Sequence, residues 1–214
     1  MSVTAVCVRP LGTDLVALSA FDTLVRKMGY ADSLVSLSRE EVWLLGLDLD
    51  DEKASGVTKM LVEETGIFVN PNTHTHTIVR PDEMLPRGRQ CGGEELEIAV
   101  WSREDPQAGP VATAVRERMR ILSLLELRRL SLWRPRFQAD EGEEGKGERD
   151  GSDGRKGRNV REIASSMVAT RSRKEGLLAN PHCQCWIIVE GALKPHELLR
   201  TVCEVEEPWP RNSC

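Results

Sequence analysis

The sequence predicts an α+β protein built from two tandem β-α-β-β-α-β units, and three observations carry that prediction. Alternating β-branched segments and helix-periodic segments succeed one another in the order β-α-β-β-α-β up to residue 80. After a proline- and glycine-rich stretch the same order begins again. The two closing segments, Gly66–Val79 and Gly176–Val189, align at a constant offset of 110, with five of fourteen positions identical: the Gly, the Asn, the Pro and the final Ile-Val. The plainer explanation is two unrelated turns sharing Gly and Asn-Pro punctuation. A unit of this kind makes a four-stranded antiparallel sheet with both helices on one face. The other face, expected to carry Trp43, Trp133 and one side of the Thr-His-Thr-His-Thr run, needs a cover. The expected cover is the second unit, the two sheets packing as a pseudo-dimer.

The elements follow in order. Val3–Arg9 alternates and is β-rich, which predicts a strand. Gly12-Thr13-Asp14 turns the chain and caps a helix over 14–28, whose apolar stripe is Leu15, Leu18, Phe21, Leu24, Val25 and Met28. Gly29 stops it. Ser33–Leu37 and Val42–Leu47 predict a hairpin turning at Ser38-Arg39-Glu40. Asp50-Asp51-Glu52 suit the start of a second helix, which ends by Gly66. Thr73–Val79 closes the first unit, taken as 1–80. Residues 81–93 read as a linker and 94–190 as the second unit. There, Leu96–Trp101 is a strand, Asp105-Pro106 opens a helix through Met119, and Ile121–Leu127 with Leu130–Phe137 is another strand pair. A helix over 160–174 and a strand over His182–Val189 follow. Residues 191–214 form a terminal helix (Pro195–Val202) and tail. The 139–158 insertion is different in kind: Asp140–Arg158 holds seven acids, five bases, six glycines and a serine. Without apolar side chains it cannot offset its ordering entropy, which predicts mobility.

Composition narrows the function. Of the 214 residues, 40% are hydrophobic and 29% charged, and the net charge is -5. No basic excess favours nucleic acid, and aromatics at 4% leave few stacking platforms. No apolar run approaches the roughly 18 residues of a membrane span. The N-terminus lacks a basic leader pattern, which reads as a cytoplasmic start. Six scattered cysteines, Cys7, Cys91, Cys183, Cys185, Cys203 and Cys214, include no CxxC pair and read as reduced thiols.

The second unit carries a family resemblance. Ala99-Val100-Trp101-Ser102-Arg103-Glu104-Asp105-Pro106-Gln107-Ala108-Gly109, running on to Val115, resembles the opening of PurS, the small subunit of phosphoribosylformylglycinamidine synthase. Leu177-Leu178-Ala179-Asn180-Pro181 resembles the family's Leu-Leu-Ala-Asn before its last strand, and Leu24–Tyr30 the end of its first helix. The family's Gly-Lys turn is missing: Ser38-Arg39-Glu40 and Arg128-Arg129 stand there. The first unit has Gly12-Thr13-Asp14 in place of Asp-Pro-x-Gly, the second has one residue too many before Gly109, and a family member is a single unit of about half this length. The resemblance implies a tandem, non-catalytic scaffold of de novo purine biosynthesis. It would bridge an ATP-using synthetase and a glutaminase, self-associate, need no cofactor, and contribute no reacting group to that ligase. Its interface candidates are Asp105, Pro106, Gly109, Asn70, Pro71, Asn180 and Pro181.

Other chemistry weighs less. His74 and His76, two apart on a strand, point to one face and are a candidate zinc pair, the core of an alternative reading as a small-ligand or metal-binding protein. Their counterparts at offset 110 are Gln184 and Trp186, whereas Cys183 and Cys185 match Thr73 and Thr75 on the opposite face, so a joint site lacks the right parity. Cys183 and Cys185 follow Arg171, Arg173 and Lys174, which would lower a thiol pKa, yet no His-plus-acid arrangement accompanies them beyond adjacent His182. No glycine run has phosphate-loop spacing, and Pro86-Arg87-Gly88-Arg89 reads as solvated. Arg116, Arg118, Arg120, Arg128, Arg129, Arg134 and Arg136 form a dense basic set, either a solvated face or a match for an acidic partner. No catalytic residue, resident metal or cofactor is expected.

Overall fold

The computed structural model describes residues 1–87, 96–138, 160–172, 176–189, 191 and 193–205. The 139–158 insertion, linker residues 88–93, Cys91, Cys214 and the tail from 206 lie outside them. Among the described residues six strands and five helices follow one another: β1 (Ser2–Pro10), α1 (Leu15–Met28), β2 (Leu34–Leu47), α2 (Asp51–Thr65), β3 (His74–Val79), β4 (Glu97–Ser102), α3 (Ala108–Thr113), β5 (Leu124–Phe137), α4 (Val160–Val168), β6 (Gln184–Val189) and α5 (Pro195–Glu204). A π-helical turn, Ala114–Arg118, extends α3. The local signals act where expected. Asp14 caps α1 by accepting from the Val16 and Ala17 amides, and Asp50 caps α2 through Lys53.

The hairpins are a correction. Leu34–Leu47 and Leu124–Phe137 are each one unbroken strand of 14 residues. Ser38-Arg39-Glu40 and Arg128-Arg129 do not turn the chain, because β2 and β5 lie antiparallel against each other and their charged side chains find partners across the pair. The result is one six-stranded sheet in the order β3-β1-β2-β5-β4-β6, in place of two four-stranded sheets stacked face to face. Every pairing in it is antiparallel.

The register is symmetric about the Glu41·Ser131 pair. A row across the sheet reads His76·Val8·Glu41·Ser131·Val100·Trp186. His76 and Trp186 therefore hold matching places, as the sequence offset of 110 has it. Val35 and Leu125 are the unpaired residues at the two irregularities of the β2·β5 ladder, one at each end.

The four helices α1 to α4 share one face, and each cluster beneath them mixes the two halves of the chain. Trp43, Leu45 and Leu47 of β2 pack with Leu61 of α2 and with Ala112 and Val115 from the second half. Leu34 and Leu37 pack with Leu24 of α1 and with Ile98, Trp133 and Met167. This follows from strand length: a 14-residue strand spans about 46 Å and reaches beneath its neighbour's helix. Trp43 and Trp133 accordingly lie under helices, not on a bare face. The opposite face is covered in part by α5, whose Leu198, Leu199 and Val202 bury Ala5, Leu44 and Leu130.

A candidate cleft at Arg39 and His74

Two acidic and two basic groups meet on the helix-bearing face beside the symmetric row. Strand alternation puts Val8 and Pro10 of β1, Arg39 and Glu41 of β2, and His74 of β3 on that face. The Gly66–Asn70 loop after α2 and Asp14 at the start of α1 wall them in. Together they enclose a cleft of about 340 Å³. Its carboxylates are engaged. Asp14 Oδ1 accepts from the Val16 and Ala17 amides at 2.9 and 3.1 Å, and Oδ2 from Arg39 Nε at 3.1 Å. Glu41 Oε1 accepts from Trp43 Nε1 at 3.1 Å and pairs with Arg129 Nε at 3.2 Å. Each arginine also lies over a tryptophan contributed by the other long strand: Arg39 over Trp133 at 5.7 Å and Arg129 over Trp43 at 5.6 Å.

Beside it, on the far side of Arg39, a second groove of about 430 Å³ runs between α1 and the start of β2. Ala17, Leu18, Phe21, Val35 and Leu37 give it an apolar lining, and Arg9, Asp14 and Arg39 edge it. Leu18 and Val35 are exposed although they line it.

The opposite face carries a buried charge network. Glu40 is 1% exposed and accepts from both Arg9 and Arg134. Arg134 also donates to Glu97 at 2.8 Å and to the Pro86 carbonyl at 2.6 Å, which ties the segment after β3 onto the sheet. Burial alone would lower the Arg134 pKa, but Glu40 and Glu97 outweigh it and hold the guanidinium above its ordinary value. Cys7 lies in the neighbouring apolar cluster. Desolvation, reinforced by the Glu40 charge, pushes its thiol up to about 12. That thiol is protonated and inert at neutral pH.

The interface candidates have local tasks. Asp105 accepts from the Gln107 and Ala108 amides at 2.8 and 3.2 Å and so sets the α3 start after Pro106. Gly109 is exposed within α3. Asn70 and Asn180 make the same turn: each side-chain oxygen accepts at 3.0 Å from the amide two residues on, in front of β3 and β6 respectively. Arg103 joins Pro181 and Cys183 to the α3 approach, its Nη2 donating to the Pro181 carbonyl and its amide to that of Cys183. Asn70 and Pro71 sit at the other edge of the sheet, so the seven residues form no single patch.

His74 and His76 do share a face of β3. His74 lines the cleft and His76 is exposed. His182, Cys183 and Cys185 belong to the β6 edge, five strand spacings or about 24 Å away. Cys183 is exposed and Cys185 buried; Cys7, Cys183, Cys185 and Cys203 are all free. Among the described residues no group of three or more His, Cys, Asp or Glu is placed to hold a metal. No described helix is long and apolar enough to cross a membrane.

The arginine set disperses. Arg116 donates to the Leu124 and Leu125 carbonyls at 2.8 and 2.7 Å, Arg128 pairs with Glu126, and Arg129 and Arg134 sit on opposite sheet faces. The sequence pattern assigned Arg39 and Glu40 to a turn, gave Glu41 no role, and did not connect Glu40, Glu97 and Arg134. One signal was present: Arg39-x-x-x-Trp43 and Arg129-x-x-x-Trp133 repeat the spacing that places each arginine on the other's tryptophan. No protein-family model matches the chain, and neither the curated proteins nor the solved structures contain a significant match.

Proposed function

We propose that this chain is a non-catalytic assembly subunit, a tandem PurS-like scaffold that bridges a synthetase and a glutaminase of purine biosynthesis in the cytoplasm. On this reading one polypeptide does the work of two small subunits, and the matching rows of its two halves are the trace of a duplication. The partner identities rest on the resemblance of Ala99–Val115 and Leu177–Pro181 to PurS. The observation that carries a binding role is the apolar groove at α1. Leu18 and Val35, which line it, are 52 and 47% exposed, although a large residue of this kind gains about 1.5–3 kcal/mol on burial. In the cleft Asp14 is paired with Arg39, and Glu41 with Arg129 beyond it, an arrangement suited to recognition.

Co-purification of the full chain with the synthetase and the glutaminase tests the reading. Leu18→Glu and Val35→Glu are each expected to weaken capture at least tenfold, about 1.4 kcal/mol, while leaving the circular dichroism unchanged. Failure to capture either enzyme, together with full purine prototrophy of a deletion strain, overturns it.

A further inference from the structure

We infer that the Arg39–His74 cleft is a binding site for a compact organic anion, a phosphate or carboxylate monoester-sized molecule with a small apolar part. The inference stands apart from the assembly reading and rests on which polar groups of the cleft remain open.

Asp14 accepts from two amides and Arg39 Nε, three of about four acceptor sites, and one Glu41 oxygen is engaged by Trp43 and Arg129. The remaining capacity is mostly donor. Arg39 spends only Nε on Asp14, and its Nη groups have no hydrogen-bond partner among the described residues. Asn70 uses its oxygen on the Asn72 amide, which leaves its side-chain NH2. His74 meets the Thr73 hydroxyl through Nδ1 at 2.8 Å, which leaves Nε2, a donor in the tautomer whose Nδ1 accepts from that hydroxyl. A guanidinium, an amide NH2 and an imidazole around one space select an acceptor-rich group, and Arg suits phosphate or carboxylate geometry best. Val8, Pro10, Ile67, Phe68 and Val69 supply an apolar lining for the rest of the molecule. A volume of about 340 Å³ stands at the small end of ligand pockets, hence a compact ligand.

The second half of the chain provides an internal control. There Ser131 holds the place of Glu41, Gln184 that of His74, and Arg129 that of Arg39. Arg129 is already engaged by Glu41 and Gln107, and Gln184 turns its oxygen back to the Asn180 amide at 2.8 Å. Arg129 thus spends two of its groups where Arg39 spends one, so the first half keeps the greater donor capacity and the expected stoichiometry is one anion per chain.

Amide and side-chain NMR shifts of the full chain, titrated with inorganic phosphate, propyl phosphate and butyrate, test the site and separate its two ligand chemistries. Saturable shifts at Gly66–Asn70 and His74 are expected with at least one organic anion below about 10 mM, tighter than with inorganic phosphate. Preference between propyl phosphate and butyrate identifies the headgroup. His74→Ala, an edge-strand substitution that leaves the core intact, should weaken binding about tenfold, and Gln184→Ala should leave it unchanged. No saturable shift with any of the three, or equal effects of His74→Ala and Gln184→Ala, overturns the site.

Discussion

The Glu40 network yields a prediction whose magnitude comes from the fold's own symmetry. Glu40 is buried between Arg9 and Arg134, and Arg134, 11% exposed, also holds Glu97. Replacing Glu40 by Leu strands a buried guanidinium with one carboxylate in place of two. Such a break costs about 3–5 kcal/mol, a large part of a typical 5–15 kcal/mol total. The other half of the sheet shows what an uncharged version looks like. Glu97 and Arg134 flank the Ile98·Trp133 pair as Ala5 and Leu44 flank Val6·Trp43, and Leu130 answers to Glu40. Those three apolar residues are fully or nearly fully buried. The triple variant Glu40→Leu/Arg134→Leu/Glu97→Ala transplants that set. It sacrifices the Pro86 carbonyl's donor, about 1 kcal/mol, and removes the desolvated charges together. It is expected within about 2 kcal/mol of the parent, although the single Glu40→Leu loses about 3–5. Urea denaturation followed by tryptophan fluorescence reads both, with unchanged m-values confirming that the same transition is observed. A triple variant less stable than Glu40→Leu would refute the claim that charge burial, and not shape, sets these energies.

Three further outcomes are expected. Gly66 and Gly176 hold matching left-handed positions, φ 62° and 69°, but a methyl on Gly66 meets nothing closer than 3.6 Å, whereas one on Gly176 collides with the Ala169 carbonyl group. In urea melts Gly66→Ala should cost about 1–2 kcal/mol, and Gly176→Ala clearly more, because the Ala169·Ala179 bridge must open; equal losses would contradict the close approach at Gly176. Between pH 9 and about 12 the unfolded chain releases the Cys7 proton that the native chain keeps, so stability falls as pH rises through that window, by at most about 1.4 kcal/mol per pH unit. That component should vanish from the pH dependence of Cys7→Ala, and an unaltered slope argues against the buried thiol. Finally, iodoacetamide at neutral pH followed by peptide mapping should label exposed Cys183 in the native protein and Cys7 only after unfolding. Native labelling of Cys7 would show that its cluster opens.

Local structure was legible because its signals are local. Asp14 and Gly29 bound α1, and Asp50 and Gly66 bound α2, each by a cap that depends on one residue's own side chain or backbone freedom. The Asn70 and Asn180 turns belong to the same class. The long strands were not legible, since Arg39 and Glu40 look like turn residues until their partners, Trp133 and Arg134, arrive from far along the chain. The cleft failed for the same reason: Asp14, Arg39 and His74 converge only after β1, β2 and β3 pair. His74 was visible as one of two histidines sharing a strand face, and Asn70 as a turn residue, with nothing to say what stood opposite them.

The departures from symmetry have a single physical origin. A two-fold related sheet presents two equivalent halves on the face opposite α1–α4, but the described chain supplies only one α5. It packs its Leu198, Leu199 and Val202 on the half that bears Ala5, Leu44 and Leu130, and those positions are apolar. The equivalent half has no second helix among the described residues; the segment around Pro86 lies against it instead, with its carbonyl facing Arg134. Its positions carry Glu97, Arg134 and Glu40, which satisfy one another and bind the Pro86 carbonyl. One helix on a symmetric face thus obliges the two halves to diverge in composition. That same divergence frees sequence on the helix-bearing face, where Glu41 and His74 stand against Ser131 and Gln184, to build one cleft where strict repetition would have built two or none.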